Sequence, residues 1–316
     1  MKPVLFLVVP CFNEQEVLPV SLPLFLGKLK ELILADVISR DSKILFVDDG
    51  SSDNTYSIIS ECARSYKYVC ALKLSSNRGH QNALFAGLME AKDRCDIAIS
   101  IDCDGQDDIN AVDHMVKCFL EGYDIVYGVR KDRKSDSVFK RSSARLFYKL
   151  LNAMGANTVS NHADYRLLSK RVLEALSEYK EVNLYLRGMI PLVGFKSTSV
   201  YYDRFPRMAG KSKYPLGKMI SLALNGITSF SVKPIRIISA VGFIFAIISF
   251  IGIIWSVISR LAGNAVSGWA STVSIICFLG GVQILSIGVI GEYIGKIYLE
   301  TKRRPKYIIE QKINMD

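Results

Sequence analysis

Two aspartates, Asp102 and Asp104, stand one residue apart at the end of an apolar run. Their carboxylates offer two hard oxygen ligands close together, which Mg²⁺ and Mn²⁺ prefer when they also hold a diphosphate. A cation bound there would neutralise the charge that builds up on a departing nucleotide. A polar turn at the end of a strand explains the same pair. Asp107 adds a third nearby carboxylate, and a solvated surface position explains it equally well.

Three other polar segments also follow apolar runs. They are Pro10 to Glu14, Asp48 to Asp53 and Asn77 to Gln81. In the second segment Gly50 permits a strand-to-helix turn, and Ser52 or Asp53 caps the next helix. An aspartate of that segment that binds the base or ribose of a nucleotide is compatible with the same turn. The first and third segments are equally well explained as polar loops at helix starts.

The apolar runs before these segments predict the framework that positions them. They are short, and most are separated by segments of helix length, at Val4 to Val9, Ile44 to Val47, Val69 to Leu74 and Ile97 to Ile101. This alternation predicts an α/β fold with a doubly wound, mostly parallel sheet. A fifth strand is predicted at Asp124 to Gly128. Ligands of such sheets bind beyond the carboxyl ends of the strands, so the polar segments should converge on one rim.

The overall positive charge predicts an anionic binding partner. The chain has a formal net charge of +10, which nucleic acid, a phosphorylated small molecule or an acidic membrane surface would complement. Its seven cysteines include no C-x-x-C pair, which argues against zinc and against a disulfide framework. Met1-Lys2-Pro3 and a brief apolar run do not make a signal peptide, so we expect the N-terminal part to stay in the cytosol.

Two long apolar stretches dominate the C-terminal third. Ile235 to Ser259 contains a single charged residue, Arg236, and Ala270 to Gly291 contains none. Each is long enough to cross a bilayer, and a helix buried in a protein core is the alternative. Lysines and arginines flank the pair on both sides, which predicts both flanks in the cytosol. The preceding Leu216 to Val232 predicts either an interfacial helix or an amphipathic helix packed on the soluble domain.

The four polar motifs in this order and spacing resemble the family 2 glycosyltransferases: Pro10 to Glu14, Val47 to Asp53, Asn77 to Gln81 and Asp102 to Asp107. The apolar hairpin narrows the resemblance to the polyprenyl-phosphate glycosyltransferases related to dolichol-phosphate mannose synthase and bactoprenol glucosyltransferase. The resemblance covers essentially the whole chain. It implies a GT-A domain over residues 1–215, an interfacial helix over 216–234, two transmembrane helices over 235–295 and a cytosolic basic tail over 296–316.

The resemblance also implies roles for single residues. Asp102 and Asp104 would hold the ribose, the diphosphate and a Mg²⁺ or Mn²⁺ ion, and the nucleotide would be surrounded by Pro10, Phe12, Glu14, Asp49 and Gln81. Asp164 matches the family's candidate base and, with Asp104, is a predicted catalytic residue. Inversion needs a group that orients or deprotonates the nucleophile, but a lipid phosphate is already anionic, so positioning would suffice. A structural salt bridge with Arg166 or another basic neighbour is the alternative for Asp164.

Basic residues are the predicted phosphate ligands, because guanidinium and ammonium groups pair with phosphate oxygens. The resemblance places Arg130 and Arg141 at the acceptor phosphate, and the diphosphate or membrane side would be bound by Arg204, Arg207, Lys211 and Lys213. One departure from the family pattern is that Gly105 and Asp108 stand where relatives often carry a bulkier apolar residue and a proline. This departure should spare metal ligation and alter the shape of the acceptor side.

The sequence therefore predicts the inverting transfer of a sugar from a nucleotide diphosphate sugar, with uridine implied as the base, to a polyprenyl phosphate at a cytosolic membrane face. The partners would be the donor, the lipid acceptor and the bilayer, with no nucleic acid, and a homo-oligomer is left open. A haloacid-dehalogenase-type phosphatase is the rival enzyme, since Ile101 to Gly105 resembles its D-x-D-G motif. That family usually carries the motif on its first strand. A non-catalytic nucleotide-sugar-binding scaffold for a flippase is the remaining alternative.

Overall fold

The computed structural model describes residues 2–131, 162–182, 184–205, 233–261 and 268–315. The described residues form two compact units. The first, the α/β unit, contains those up to residue 205 together with 304–315. The second, the hairpin unit, contains those between 233 and 303.

A mixed sheet organises the α/β unit. Its eight described strands are β1 Leu5–Cys11, β2 Lys43–Asp48, β3 Val69–Leu74, β4 Ile97–Ser100, β5 Ile125–Arg130, β6 His162–Ser169, β7 Ser197–Tyr202 and β8 Ile309–Ile313. They lie in the order β7-β5-β6-β4-β1-β2-β3-β8. Strands β3, β2, β1 and β4 pair in parallel, whereas β6 runs antiparallel to both β4 and β5, and β8 runs antiparallel to β3. The predicted α/β fold with a mostly parallel central sheet is confirmed.

Helices cover the parallel strands, which explains why those strands read as continuous apolar runs. The described helices of this unit are α1 Leu18–Leu34, α2 Thr55–Ser65, α3 His80–Ala91, α4 Ala111–Leu120, α5 Lys170–Ser177 and α6 Leu186–Leu192. Helix α3 packs closely against β1 and β2. A Cβ added at Gly87 would stand 2.5 Å from Val8 Cγ1 and 2.7 Å from Val47 Cγ2, so this approach requires glycine. The close packing fixes the first turn of α3 over the carboxyl ends of β1 and β2.

The five strands predicted from apolar runs lie within two residues of their observed bounds. Strand β8 differs from expectation, because the predicted basic tail over 296–316 divides between two elements. Residues up to Lys302 continue the second hairpin helix, and residues Ile309–Ile313 return to the sheet. The sequence of β8 is Ile-Glu-Gln-Lys-Ile, so it is apolar only at its two ends, and none of its residues is buried. Five such residues give a weak signal beside the long buried runs.

The hairpin unit contains α7 Lys233–Leu261 and α8 Trp269–Lys302. Within them, Lys233–Gly252 and Phe278–Lys302 are long and apolar enough to cross a membrane, and neither segment is buried inside protein. The rings of Phe245 and Phe278 pack together with centroids 5.7 Å apart. The exposed surfaces contradict the alternative of helices buried in a protein core. The helix predicted over 216–232 lies outside the described residues.

Candidate active site

The loop after β1 is held against the loop after β2. Asn13, whose φ is 54°, donates its backbone N–H to Ser51 Oγ at 3.0 Å and accepts the Ser52 N–H on its Oδ1 at 2.9 Å. The Glu14 N–H donates to Thr55 Oγ1 at 2.8 Å. Among the residues predicted to surround the nucleotide, Pro10 lies in β1, Phe12 is exposed and Glu14 is half-buried. The structure therefore brings this first motif to the same rim as the second.

Asp49 organises the loop between β3 and α3. Its two carboxylate oxygens accept the backbone N–H groups of Arg78 at 2.7 Å and Gly79 at 2.9 Å. Burial raises the pKa of Asp49, and these two hydrogen bonds oppose the shift. Gly50 follows with φ +65°, and a Cβ there would lie 2.6 Å from the backbone of Ser76. The structure thus contains the turn that was predicted at Gly50. The predicted contact of Asp49 with a nucleotide stays a prediction.

Asp102 and Asp104 follow β4 at the same rim. Asp104 Oδ1 accepts the Gln106 N–H at 3.1 Å, and Asp102 Oδ1 lies 3.7 Å from His80 Nε2. Burial raises the pKa of Asp102, while the neighbouring His80 lowers it. Within the described ranges, no three His, Cys, Asp or Glu side chains cluster as a metal site would require. Asp102 and Asp104 lie one residue apart on this loop, and their contact with a metal ion stays a prediction.

Asp164 lies in β6 at the centre of a cationic cluster. Arg187 Nε and Nη2 donate to its two carboxylate oxygens, each at 3.1 Å, and Arg166 Nη2 donates to Oδ1. His80 Nε2 lies 3.4 Å from Oδ2, and Gln81 Nε2 donates to the same oxygen at 3.3 Å. The salt bridge with Arg166 that was the alternative for Asp164 is present, and it is one of several contacts.

The charges of this cluster reinforce one another. Burial by itself would raise the pKa of Asp164, but Arg187, His80 and Arg166 outweigh it and hold that pKa well below its usual range. Burial lowers the pKa of His80, yet its hydrogen bond to Asp164 and the charge of Asp102 raise it to about 9. At neutral pH, three cations, Arg166, Arg187 and His80, therefore face the carboxylates of Asp164 and Asp102. A further negative group is favoured beside such a cluster.

The predicted phosphate ligand Arg130 is engaged by a neighbouring carboxylate. Its Nε and Nη2 donate to Asp107 Oδ1 at 3.2 and 3.0 Å, and the Tyr202 hydroxyl donates to the same oxygen at 2.7 Å. Arg204 Nη2 donates to Gln106 Oε1, in the loop that carries Asp104. The structure thus gives Arg130 and Arg204 positions around this loop. Their contacts with phosphate stay predictions. The other four predicted phosphate ligands lie outside the described residues: Arg141, Arg207, Lys211 and Lys213.

Comparison with known proteins decides the family. The model of glycosyl transferase family 2 matches residues 6–177, and the model of the GtrB C-terminal hairpin matches residues 233–297. The chain belongs to glycosyltransferase family 2. This glycosyltransferase is 52% identical over 309 residues to the uncharacterized glycosyltransferase YkoT of Bacillus subtilis, covering 98% of this chain and 92% of that one.

A second relative carries a more specific name. The glycosyltransferase is 42% identical over 307 residues to a prophage bactoprenol glucosyl transferase homolog of Escherichia coli, covering 96% of this chain and 98% of the relative. Among solved structures it is similar to the mannosyltransferase PcManGT of Pyrobaculum calidifontis in complex with GDP-Man and Mn²⁺. That similarity has a TM-score of 0.44 at 16% identity and covers 95% of this chain and 85% of the other.

Two residues of this glycosyltransferase site were missed from its sequence. His80 stands inside the motif Asn77 to Gln81, in which the family resemblance implies a role for its neighbour Gln81. Arg187 is the second residue of α6, 23 positions after Asp164, and no local sequence pattern indicates its role. An imidazole in a motif that was expected to converge with two aspartate-containing motifs was a usable signal for His80. Arg187 becomes visible only when the chain folds.

Proposed function

We propose that this glycosyltransferase moves a sugar, with inversion, from a nucleotide diphosphate sugar to a polyprenyl phosphate at the cytosolic face of a membrane. The observation that carries the proposal is that His80 lies between two differently charged sites. Its Nε2 is 3.7 Å from Asp102 and 3.4 Å from Asp164. The acidic pair suits a cation with a diphosphate, and the cationic cluster suits a second phosphate beside it.

The acidic pair fits a divalent cation that a substrate completes. Asp102 and Asp104 are hard oxygen donors, and Mg²⁺ or Mn²⁺ is commonly held by one or two carboxylates together with substrate phosphates. A bound cation would offset the negative charge that develops on the departing nucleoside diphosphate. The two aspartates are one residue apart in the chain, and no group of three His, Cys, Asp or Glu side chains that could hold a metal occurs among the described residues, so phosphate oxygens and water would complete the coordination. Uridine is the base we propose for the donor.

Asp164 acts in this proposal as a positioning group. Its pKa lies well below the usual range, so its carboxylate is a weak base at neutral pH. The acceptor phosphate is already anionic and needs no proton removed. Asp164 instead orients the guanidinium of Arg187, whose side chain remains 33% exposed and can meet an incoming phosphate oxygen. This assigns Asp164 the positioning role that was expected from the sequence, and not that of a base.

The bilayer and the acceptor enter the proposal through the hairpin. The relatives matched over almost the whole chain include proteins named bactoprenol glucosyl transferase, from Shigella phages among other sources. Both hairpin helices are long enough to span a bilayer, and basic residues flank them on either side. Positive flanks favour the cytosolic side for both ends.

A product assay tests the proposal. Purified full-length protein in lipid nanodiscs would be given Mg²⁺ or Mn²⁺, polyprenyl phosphate and radiolabelled sugar donors with uridine or guanosine. We expect a lipid-linked sugar whose anomeric configuration, read by NMR, is opposite to that of the donor. Asp104→Asn is the matched control and should make far less product. Donor binding without any lipid-linked product would favour the scaffold alternative, and an aspartyl-phosphate on Asp102 would favour the phosphatase.

A further inference from the structure

The chain returns to the α/β unit after the hairpin, through residues 304–314, which we call the return segment. Its strand β8 pairs with β3, and the Ser75 N–H donates to the Ile308 carbonyl oxygen at 2.9 Å. At the other end, the Asn314 side chain donates to the Val69 carbonyl oxygen at 3.0 Å. The return segment is therefore anchored along the whole sheet edge by backbone and amide contacts.

Lys306 is the residue of the return segment that joins two other elements. Its Nζ donates to the Tyr179 carbonyl oxygen at 2.7 Å and stands 4.4 Å from the ring centroid of Phe85. Tyr307 adds an edge contact to the same ring, with centroids 6.5 Å apart. Tyr179 begins the connection between α5 and α6, and Phe85 lies on α3. One ammonium group thus links α3 to that connection.

The same two elements meet again beside Asp164. Gln81 Oε1 accepts the Leu186 N–H at 3.1 Å, while Gln81 Nε2 donates to Asp164. Gln81 and Phe85 are four residues apart on α3 and so share one helix face. The connection from Tyr179 to Leu186 is therefore held to α3 at both ends, by Lys306 at one and by Gln81 at the other. Arg187, which donates two hydrogen bonds to Asp164, follows Leu186 directly in the chain.

We propose that Lys306 is a positioning residue for sugar transfer, which holds the α5–α6 connection against α3 and thereby sets where Arg187 meets Asp164. The inference rests on the proposed function, in which Arg187 faces the acceptor phosphate. A charge-assisted hydrogen bond combined with an aromatic contact fixes an ammonium group more firmly than either does alone. Small displacements matter here, because a misplacement of about 1 Å can cost roughly 10²-fold in rate.

Four full-length proteins test the inference: wild type, Lys306→Met, Lys306→Arg and the control Lys312→Met. Lys312 lies on the same segment and pairs with Glu90 at 2.6 Å, away from the α5–α6 connection. We expect Lys306→Met to lower kcat about tenfold while the donor KM stays within about twofold. Its melting temperature should match that of Lys312→Met. Lys306→Arg should recover most of the rate, because arginine can make both contacts.

Hydrogen exchange measured on the same proteins separates this inference from the proposed function. Lys306→Met should speed amide exchange in residues 178–187, and Lys312→Met should leave it unchanged. The inference is overturned if exchange there does not change, if kcat of Lys306→Met stays within about twofold of wild type, or if Lys312→Met loses as much rate. A wild-type protein that transfers no sugar would instead refute the proposed function, and exchange in 178–187 would still decide whether Lys306 holds the connection.

Discussion

Replacing Asp164 with asparagine tests whether its charge serves structure or chemistry. Asparagine keeps the shape but removes the negative charge that Arg166 and Arg187 share. The side chains of Asp164 and Arg166 are only 8% and 1% exposed, so solvent compensates little for the loss. Removing one partner of a buried pair costs about 3 to 5 kcal/mol. For a unit of this size that is a fall in Tm of about 6 to 20 °C, at roughly 2 to 4 °C per kcal/mol.

The assay is thermal unfolding of the full-length protein beside product formation, with Asp93→Asn as the control. Asp93 is exposed and lies 3.8 Å from Lys92, so its replacement should change stability by less than about 0.5 kcal/mol. Because the folded pKa of Asp164 is depressed, its stabilising charge is complete above the unfolded pKa and is lost as the pH falls through the folded value. The Tm difference between wild type and Asp164→Asn should therefore be constant between about pH 5 and pH 6. It should shrink as the pH rises through about 9, because His80 then loses the charge that Asp164 stabilises.

One result would refute this reasoning. If Asp164→Asn keeps the wild-type Tm but loses transfer by about 10²-fold or more, the carboxylate acts on the reacting groups rather than on its arginines. A wild-type transfer rate that falls as the pH is lowered from neutral, with no such fall in the variant, would also indicate that the carboxylate acts on the reacting groups.

Four other changes have expected outcomes. Asp104→Asn should reduce transfer by about 10²-fold or more without releasing the protein from membranes, as measured by product formation and by sedimentation with vesicles; unchanged activity would remove Asp104 from the metal site. Gly50→Ala should lower stability by more than about 1 kcal/mol in a denaturant titration, because φ is +65° and the Ser76 backbone is 2.6 Å from the added Cβ. Gly27→Ala, with nothing within 4 Å, should be neutral or stabilising. A chain that ends at Arg303 loses β8 and should melt at a lower temperature and aggregate through the exposed edge of β3, as light scattering would show.

The sequence predicted the central sheet because burial on both faces leaves an unmistakable pattern. Strands β1 to β4 are nearly fully buried, and their apolar runs appear without interruption. Strand β8 could not be found in the same way. One of its faces is exposed, and its pairing with β3 joins residues more than two hundred positions apart. The expected tail therefore turned out to contain a strand.

The site was predictable where chemistry is local and not where it depends on folding. Asp102 and Asp104 are one residue apart, so their shared ligand chemistry is visible in the chain itself. The hydrogen bonds from Arg187 to Asp164 depend on how α6 is placed against β6. Arg130 shows the converse, since the sheet brings the last residue of β5 against Asp107 in the loop after β4. No pattern in the sequence around Arg130 indicates that partner.

The position of β8 in the chain orders the steps of biosynthesis. During translation both hairpin helices leave the ribosome before β8 does, because β8 is encoded after them. A nascent polypeptide stalled within the hairpin therefore holds a sheet that still lacks its outermost strand. In the proposed function the hairpin is a membrane anchor, and its insertion would then begin on this unfinished protein, before β8 docks onto β3. The sheet of the glycosyltransferase domain is thus completed only after the hairpin has been synthesised.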